Sequence, residues 1–204
     1  METVRTAQLG PGIVDQLSEA LGSAAALIDG LPQAAFTAAT PCGGWRVIDV
    51  VNHLAGVTEK FGRFAAGAPS PIRQRRGDLV GTQPAEGFRE LADAALGAWR
   101  EHPEALSAEC VLSFGSFDGA TAAGINLFDA VVHRWDIAVG AGADTEMSEE
   151  LAGVALRVAH LLVTDEARRS GQYATALDAQ ADASASARLL AAAGRQPPRG
   201  PRAP

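Results

Sequence analysis

Five stretches of this chain place apolar residues three and four positions apart, a spacing that packed helices satisfy and strands do not. Ile13, Leu17, Leu21, Ala24, Leu27, Ile28 and Leu31 form the first stripe, which Pro32 stops. After the turn-forming TPCGGW at 40–45, Val47, Val50, Val51, Leu54, Val57, Phe61 and Phe64 resume the pattern and predict a helix from 45 to 66. The third stripe, Phe88, Leu91, Ala95, Leu96 and Trp99, follows Pro84, which suits a first helical turn. The fourth, over 120–139, carries Ile125, Phe128, Val132, Trp135 and Val139. The fifth begins behind Ser148, an N-cap residue followed by Glu149 and Glu150, and holds Leu151, Val154, Leu156, Val158, Leu161 and Leu162. Frequent alanine and only 5% aromatic residues favour helices over sheets, so the chain is expected to be all-α.

Between the stripes lie a Pro-, Gly- and Arg-rich loop at 67–83 and a stretch, CVLSFGSFDG at 110–119, that reads as either a short hairpin or an extended crossover. A loop at 170–182 precedes a short helix at 185–193, and the Pro- and Arg-rich 194–204 reads as a disordered tail. At 204 residues the sequence supports one domain, spanning 1–193. A net charge of -7 argues against nucleic acid as a partner, and the basic RQRRG at 73–77 is too short to reverse it. That cluster reads as a solvated loop, with a rim contact to an anionic ligand as the alternative. No membrane span or signal segment is evident, and a cytoplasmic protein, monomeric or homodimeric, is expected. Cys42 and Cys110 show no CxxC spacing, and a disulfide is not indicated. Lys60 is the only lysine among 17 basic residues, an arginine bias that suggests a high-GC bacterial source.

One feature of the fourth stripe has no packing explanation. DAVVHRWD at 129–136 sets Asp129, His133 and Asp136 along one edge of an otherwise apolar face. Two side chains at i and i+4 can be directed at one point, which is how a single helix supplies two metal ligands. A third ligand would come from a neighbouring helix, and His53, on the flank of the second stripe, is the candidate. Two imidazoles and a carboxylate suit zinc or another divalent transition ion with one position left open. The competing reading is an ordinary ion pair between Asp129 and His133 on a partly exposed face.

Asp49 is read as complementing the dipole of its helix, His160 as core packing and His102 as a loop residue. Cys42 has no activating neighbour in sequence except Arg46, so a cysteine nucleophile is not favoured. Neither a nucleophile elbow nor a phosphate-binding loop is present.

TPCGGWRVIDVVNHLAG at 40–56 resembles the segment that opens the second helix of actinobacterial metal-binding proteins of the DinB-like superfamily, the group that includes mycothiol-dependent maleylpyruvate isomerase. DAVVHRWDIAVGAG at 129–142 is similar to their fourth-helix motif, and ADASASARLLAAAGRQP at 181–197 to the closing segment of their short members. The resemblance implies a four-helix bundle with an extra C-terminal helical segment and a metal held by His53, Asp129 and His133. It further implies that Asp136 supports the ligands from behind or caps the helix, and that Trp45 and Trp135 pack the bundle. Two departures stand out: Asp129 replaces a glutamate, shortening the reach by one methylene, and only about 60 residues follow the fourth helix where the isomerase resemblance involves a further domain.

The expected function is activation of a low-molecular-weight thiol, mycothiol by resemblance, on a divalent metal, with zinc expected, for transfer to or isomerisation of a small electrophile. The alternatives are a non-catalytic metal- or small-molecule-binding bundle, and a secondary-metabolism enzyme that reuses the scaffold with an altered or lost metal site.

Overall fold

The computed structural model of the chain describes residues 4–10, 12–69, 71–169, 171, 174–180 and 182–196. All five stripes form helices: α1 (Ile13–Asp29), α2 (Val47–Ala65), α3 (Pro84–Glu101), α4 (Gly119–Ala141) and α5 (Glu149–Leu162). The short α6 (Asp165–Arg169) and α7 (Ala185–Ala192) follow, and short 3₁₀ turns occupy Gln33–Thr37 and Pro103–Ser107. The 110–119 stretch is a hairpin, β1 (Glu109–Leu112) pairing antiparallel with β2 (Gly115–Asp118), and Gly115 at φ 138 makes its tight turn. The only other pairings among the described residues are single bridges, Arg5 to Phe117 and Ala39 to Arg46.

α1, α3, α2 and α4 pack in that cyclic order as a four-helix bundle, with α5 laid on the far side of α4 and α7 on α5. The arrangement explains the composition of α4. Touched by α1, α2 and α5, it has little face left for solvent, and even its polar Thr121, Asn126 and Asp136 are buried. Asp118 starts it by accepting the Thr121 N–H at 2.7 Å, and Gly142 at φ 65 ends it. The core runs continuously from Leu17 and Leu21 of α1 through Leu54 and Phe61 of α2, Phe88 and Trp99 of α3, and Leu127 and Ile137 of α4 to Leu189 of α7.

Two sequence expectations are corrected, and α6 adds a five-residue helix too short to show a helical period. His160 is exposed on α5, because the helix turns Val158 and Ala159 rather than the imidazole toward α4. The expected tail is also ordered at its start: 197–204 lie outside the described residues, but Arg195 is tied into the protein interior by an ion pair. No described helix is long and apolar enough to cross a membrane.

Candidate metal centre

Where α2 crosses α4, His53 meets Asp129 and His133. His53 Nε2 lies 3.3 Å from Asp129 Oδ1, and His133 Nε2 lies 3.5 Å from the same oxygen. The two rings stand edge to face with centroids 4.9 Å apart, and the three ligand atoms lie within 4.8 Å of one another. These separations bear on the choice between ion pair and metal site. A charged N–H···O bond closes to about 2.7–2.9 Å. Ligand atoms placed about 2.05 Å from a tetrahedral zinc lie about 3.4 Å apart. The spacing at Asp129 follows the second pattern. Asp129 Oδ2 is buried and meets no hydrogen-bond donor among the described residues, a state that a buried carboxylate oxygen rarely keeps without an ion or water. The donor set therefore fits a divalent metal, and the shorter aspartate reaches both imidazoles.

Each imidazole is held from behind, and by different means. His133 Nδ1 donates to Asp136 Oδ2 at 2.9 Å, the arrangement that turns Nε2 toward an ion. Asp136 is fully buried and gripped by Arg195, whose Nε reaches Oδ1 at 3.0 Å and whose Nη2 reaches Oδ2 at 2.8 Å. Burial works against the Asp136 charge, but the His133 and Arg195 hydrogen bonds and charges outweigh it and hold the carboxyl at about 2. His53 Nδ1 instead faces the Gln74 amide, whose Nε2 lies 3.3 Å away and also donates to the His53 carbonyl at 3.1 Å. Gln74 belongs to the RQRRG cluster, which the sequence assigns to solvent. The loop reaches α2 because Gly56 lacks a side chain: a Cβ there would sit 2.6 Å from Arg75 O and 3.1 Å from Gln74 Nε2. Asn52 fixes the loop's far end by accepting the Leu79 N–H at 2.6 Å and the Val80 N–H at 3.2 Å.

The charges of the triad are mutually supporting. Burial opposes ionisation of both Asp129 and His133, but His53 and His133 hold the Asp129 carboxyl far below its ordinary range. In return Asp129, with hydrogen bonds to Asp129, Asp136 and Cys42, raises His133 well above the ordinary imidazole value. Lys60, the single lysine, is buried seven residues after His53 with its ammonium 4.2 Å from the Phe61 ring centre. Burial lowers its pKa, and the Asp129 charge opposes that shift.

The 40–45 turn closes the site. Thr40 N–H and Oγ1 both donate to the Trp45 carbonyl, at 3.0 and 2.9 Å, and Trp45 N–H donates to Cys42 O at 2.9 Å. Trp135 is buried as the resemblance implies, but Trp45 is not a packing residue: it is 38% exposed, 5.0 Å from the His53 ring and 6.5 Å from the His133 ring, nearly parallel to the latter. Cys42 is likewise better surrounded than its sequence neighbours suggest. Its Sγ donates to Asp136 Oδ2 at 3.1 Å, accepts from Arg195 Nη2 at 3.1 Å and lies 3.7 Å from His133 Nδ1. Cys42, His133 and Asp136 are close enough to form a second ligand set, but the Arg195 guanidinium already supplies the cation there. Cys42 and Cys110 are free thiols, and burial pushes the Cys110 thiol up to about 11. Asp49 accepts the Arg46 N–H at 2.9 Å at the start of α2, a structural role as expected, and His102 pairs with Glu104 beyond α3.

A cavity of about 490 Å³ lies over the triad, with Cys42, Trp45, Phe128, Val132 and Arg195 in its walls. A wider groove of about 980 Å³ adjoins it along Trp45, His53 and the 74–78 loop. Only His53 of the triad faces the groove, so the smaller cavity is the one that opens on all three ligands.

Residues 17–138 match the family model described as the mycothiol maleylpyruvate isomerase N-terminal domain. Two uncharacterised proteins of Mycobacterium tuberculosis, from strains CDC 1551 and H37Rv, are each 31% identical over 133 residues, which is 65% of this chain and 69% of the relative. The crystal structure of a mycothiol-dependent maleylpyruvate isomerase superposes with a TM-score of 0.65 at 17% identity, over 95% of this chain and 93% of that one. A histidine-to-alanine variant of such an isomerase superposes with a TM-score of 0.56 at 18% identity, over 82% and 75%. The first superposition runs nearly the full length of both chains, so the short stretch after α4 does not set the two folds apart.

Proposed function

The chain belongs to the mycothiol maleylpyruvate isomerase N-terminal domain family, and from that membership and the geometry of the triad we propose that it is a divalent-metal enzyme activating a low-molecular-weight thiol for attack on a small electrophile. The observation that carries the reading is the spacing of two imidazole nitrogens, 3.3 and 3.5 Å, around one oxygen of a carboxylate whose other oxygen is buried without a donor. His53, Asp129 and His133 would hold the ion, zinc by donor type, which supplies charge stabilisation for a thiolate at neutral pH.

The protein's own groups do the rest. His53 and His133 bring neutral nitrogens and Asp129 one negative charge, so a divalent ion in this set keeps net positive charge for an anionic sulfur. Asp136 keeps the His133 proton on Nδ1. The cavity beside the triad is large enough for the head of a thiol and a small substrate, and Trp45, Phe128 and Val132 wall it with apolar surface that limits water. The family and the structurally similar isomerase supply the specific candidates: mycothiol as the thiol and isomerisation of maleylpyruvate, or thiol transfer to a related electrophile, as the reaction. The test is turnover of maleylpyruvate by the zinc-loaded chain with and without mycothiol. Turnover that needs both zinc and mycothiol and is lost in His133→Ala supports the reading; turnover that persists in His133→Ala, or that proceeds without thiol, contradicts it.

A further inference from the structure

The metal-centre motifs lie on α2 and α4, and the family match ends at residue 138. One of the side chains that build the site nevertheless comes from 59 residues beyond Asp136. We propose that Arg195 is a positioning residue for the metal centre, fixing Asp136 so that His133 presents Nε2 to the ion; this rests on the metal-centre reading above.

The chain delivers Arg195 by a local device. α7 ends in a two-bond turn in which Gly194 N–H donates to Ala191 O at 3.0 Å and Arg195 N–H donates to Leu190 O at 2.8 Å, with Gly194 at φ 69. The left-handed glycine reverses the chain and sends the next side chain back toward α4. A Cβ on Gly194 would also lie 2.7 Å from Ala174 Cβ and 2.8 Å from Thr175 O, so the turn is packed as well as bent. Upstream, α7 is anchored by fully buried Leu189 and by Arg168, which donates to Ala192 O at 2.7 Å. Arg195 thus arrives from a fixed base, and its side chain is only 14% exposed.

At α4 the guanidinium does what a point charge would not. Its fork takes both Asp136 oxygens, Nε to Oδ1 and Nη2 to Oδ2, and Nη2 also reaches Cys42 Sγ while Nη1 donates to Ala193 O at 3.1 Å. With both oxygens engaged the carboxylate cannot swing, and Oδ2 stays on His133 Nδ1. The last segment of the chain therefore sets the orientation of a ligand on the fourth helix.

Zinc affinity by chelator competition, with the His133 Nδ1–H proton resonance in ¹⁵N-histidine-labelled protein, tests this. Arg195→Gln should weaken zinc binding about 10–100-fold and expose the Nδ1–H to exchange so that its resonance broadens away. Arg195→Lys, with charge but no fork, should recover only part of the affinity. Arg168→Gln is the control: it loosens the same segment without touching Asp136 and should lower the melting temperature while costing far less zinc affinity than Arg195→Gln and keeping the resonance observable. The proposal fails if Arg195→Gln binds zinc within about threefold of the unaltered protein with the resonance intact, or if Arg168→Gln loses as much affinity as Arg195→Gln. Should Arg195→Gln not fold, Arg195→Lys decides it: affinity and resonance equal to those of the unaltered protein overturn the role of the fork, and a partial loss of both supports it. If the unaltered chain binds no zinc, the metal-centre reading falls, and the resonance in metal-free Arg195→Gln still decides whether Arg195 positions His133.

Discussion

The two imidazoles of the candidate metal centre are chemically identical and differently prepared. His133, on α4, has 12% of its side chain exposed and gives its Nδ1 proton to a buried carboxylate that is itself held by an arginine. His53, on α2, is 25% exposed, and its Nδ1 faces an amide donor on a basic loop. His53 Nε2 faces Asp129 Oδ1 at 3.3 Å. The α4 ring is thus backed by a buried charge, whereas the α2 ring is backed by a neutral amide. The contrast teaches that ligand identity alone does not set a ligand's worth. What stands behind the ring does.

The largest effects should separate the halves. His133→Ala should cost zinc affinity about a hundredfold or more, taking roughly 3 kcal/mol per ligand from the 10–16 kcal/mol typical of four-ligand sites. His53→Ala should cost less, and equal losses measured by chelator competition would break the comparison. Asp136→Ala should weaken zinc binding about 10–100-fold through His133. It should also destabilise the fold by roughly 3 kcal/mol, because it leaves the Arg195 charge in a buried setting without its partner. Denaturant titration of the metal-free chain measures that second loss.

The helices were legible from sequence because a packed helix must repeat its apolar contacts every 3.6 residues, and five stripes did so. The convergence of the candidate triad was legible for a related reason: Asp129 and His133 are polar one i, i+4 step apart on a face that packing would have made apolar, His53 stands on the helix opposite, and the fold brings the three side chains together. Apart from Asp136, which the resemblance places behind the ligands, what surrounds the triad was not. Arg195 reaches Asp136 across 59 residues through a turn that depends on one glycine, and no periodicity records a contact of that kind. Gln74 sat in a cluster whose charges suggest solvent, and the signal that could have found it was Gly56, a glycine without a turn in the middle of a helix. The resemblance places Trp45 in the bundle packing; the TPCGGW turn instead lifts it onto the imidazoles.

A pH series sharpens the contrast further. In the metal-free chain His133 is raised by Asp129 and by its hydrogen bonds, so below that raised value a proton occupies the nitrogen an ion needs. Zinc affinity should therefore climb with pH, by about tenfold per unit for each proton released, and flatten once pH exceeds the His133 value. In Asp136→Asn the flattening should begin at lower pH, since one of the bonds that raises His133 is weakened. Isothermal titration in buffers of different ionisation enthalpy counts the protons released.

The smallest effects belong to the loop behind His53. Gln74→Ala should lower zinc affinity less than tenfold, because an amide contributes orientation without charge. Gly56→Ala should act in the same direction by pushing the 74–79 loop off α2, at a cost in stability of about 1–3 kcal/mol for overpacking less about 1 kcal/mol gained in helix propensity. A Gln74→Ala loss as large as that of Asp136→Ala would mean that the two imidazoles are equally dependent on their backing.

Zinc-edge X-ray absorption of the zinc-loaded chain reads the ligand set itself. Two imidazole nitrogens and one carboxylate oxygen are expected at about 2.0–2.2 Å, with no sulfur until a thiol is added and one sulfur at about 2.3 Å afterwards. A chain that retains no zinc, or a first shell already containing sulfur from Cys42 before any thiol is added, would contradict this ligand set.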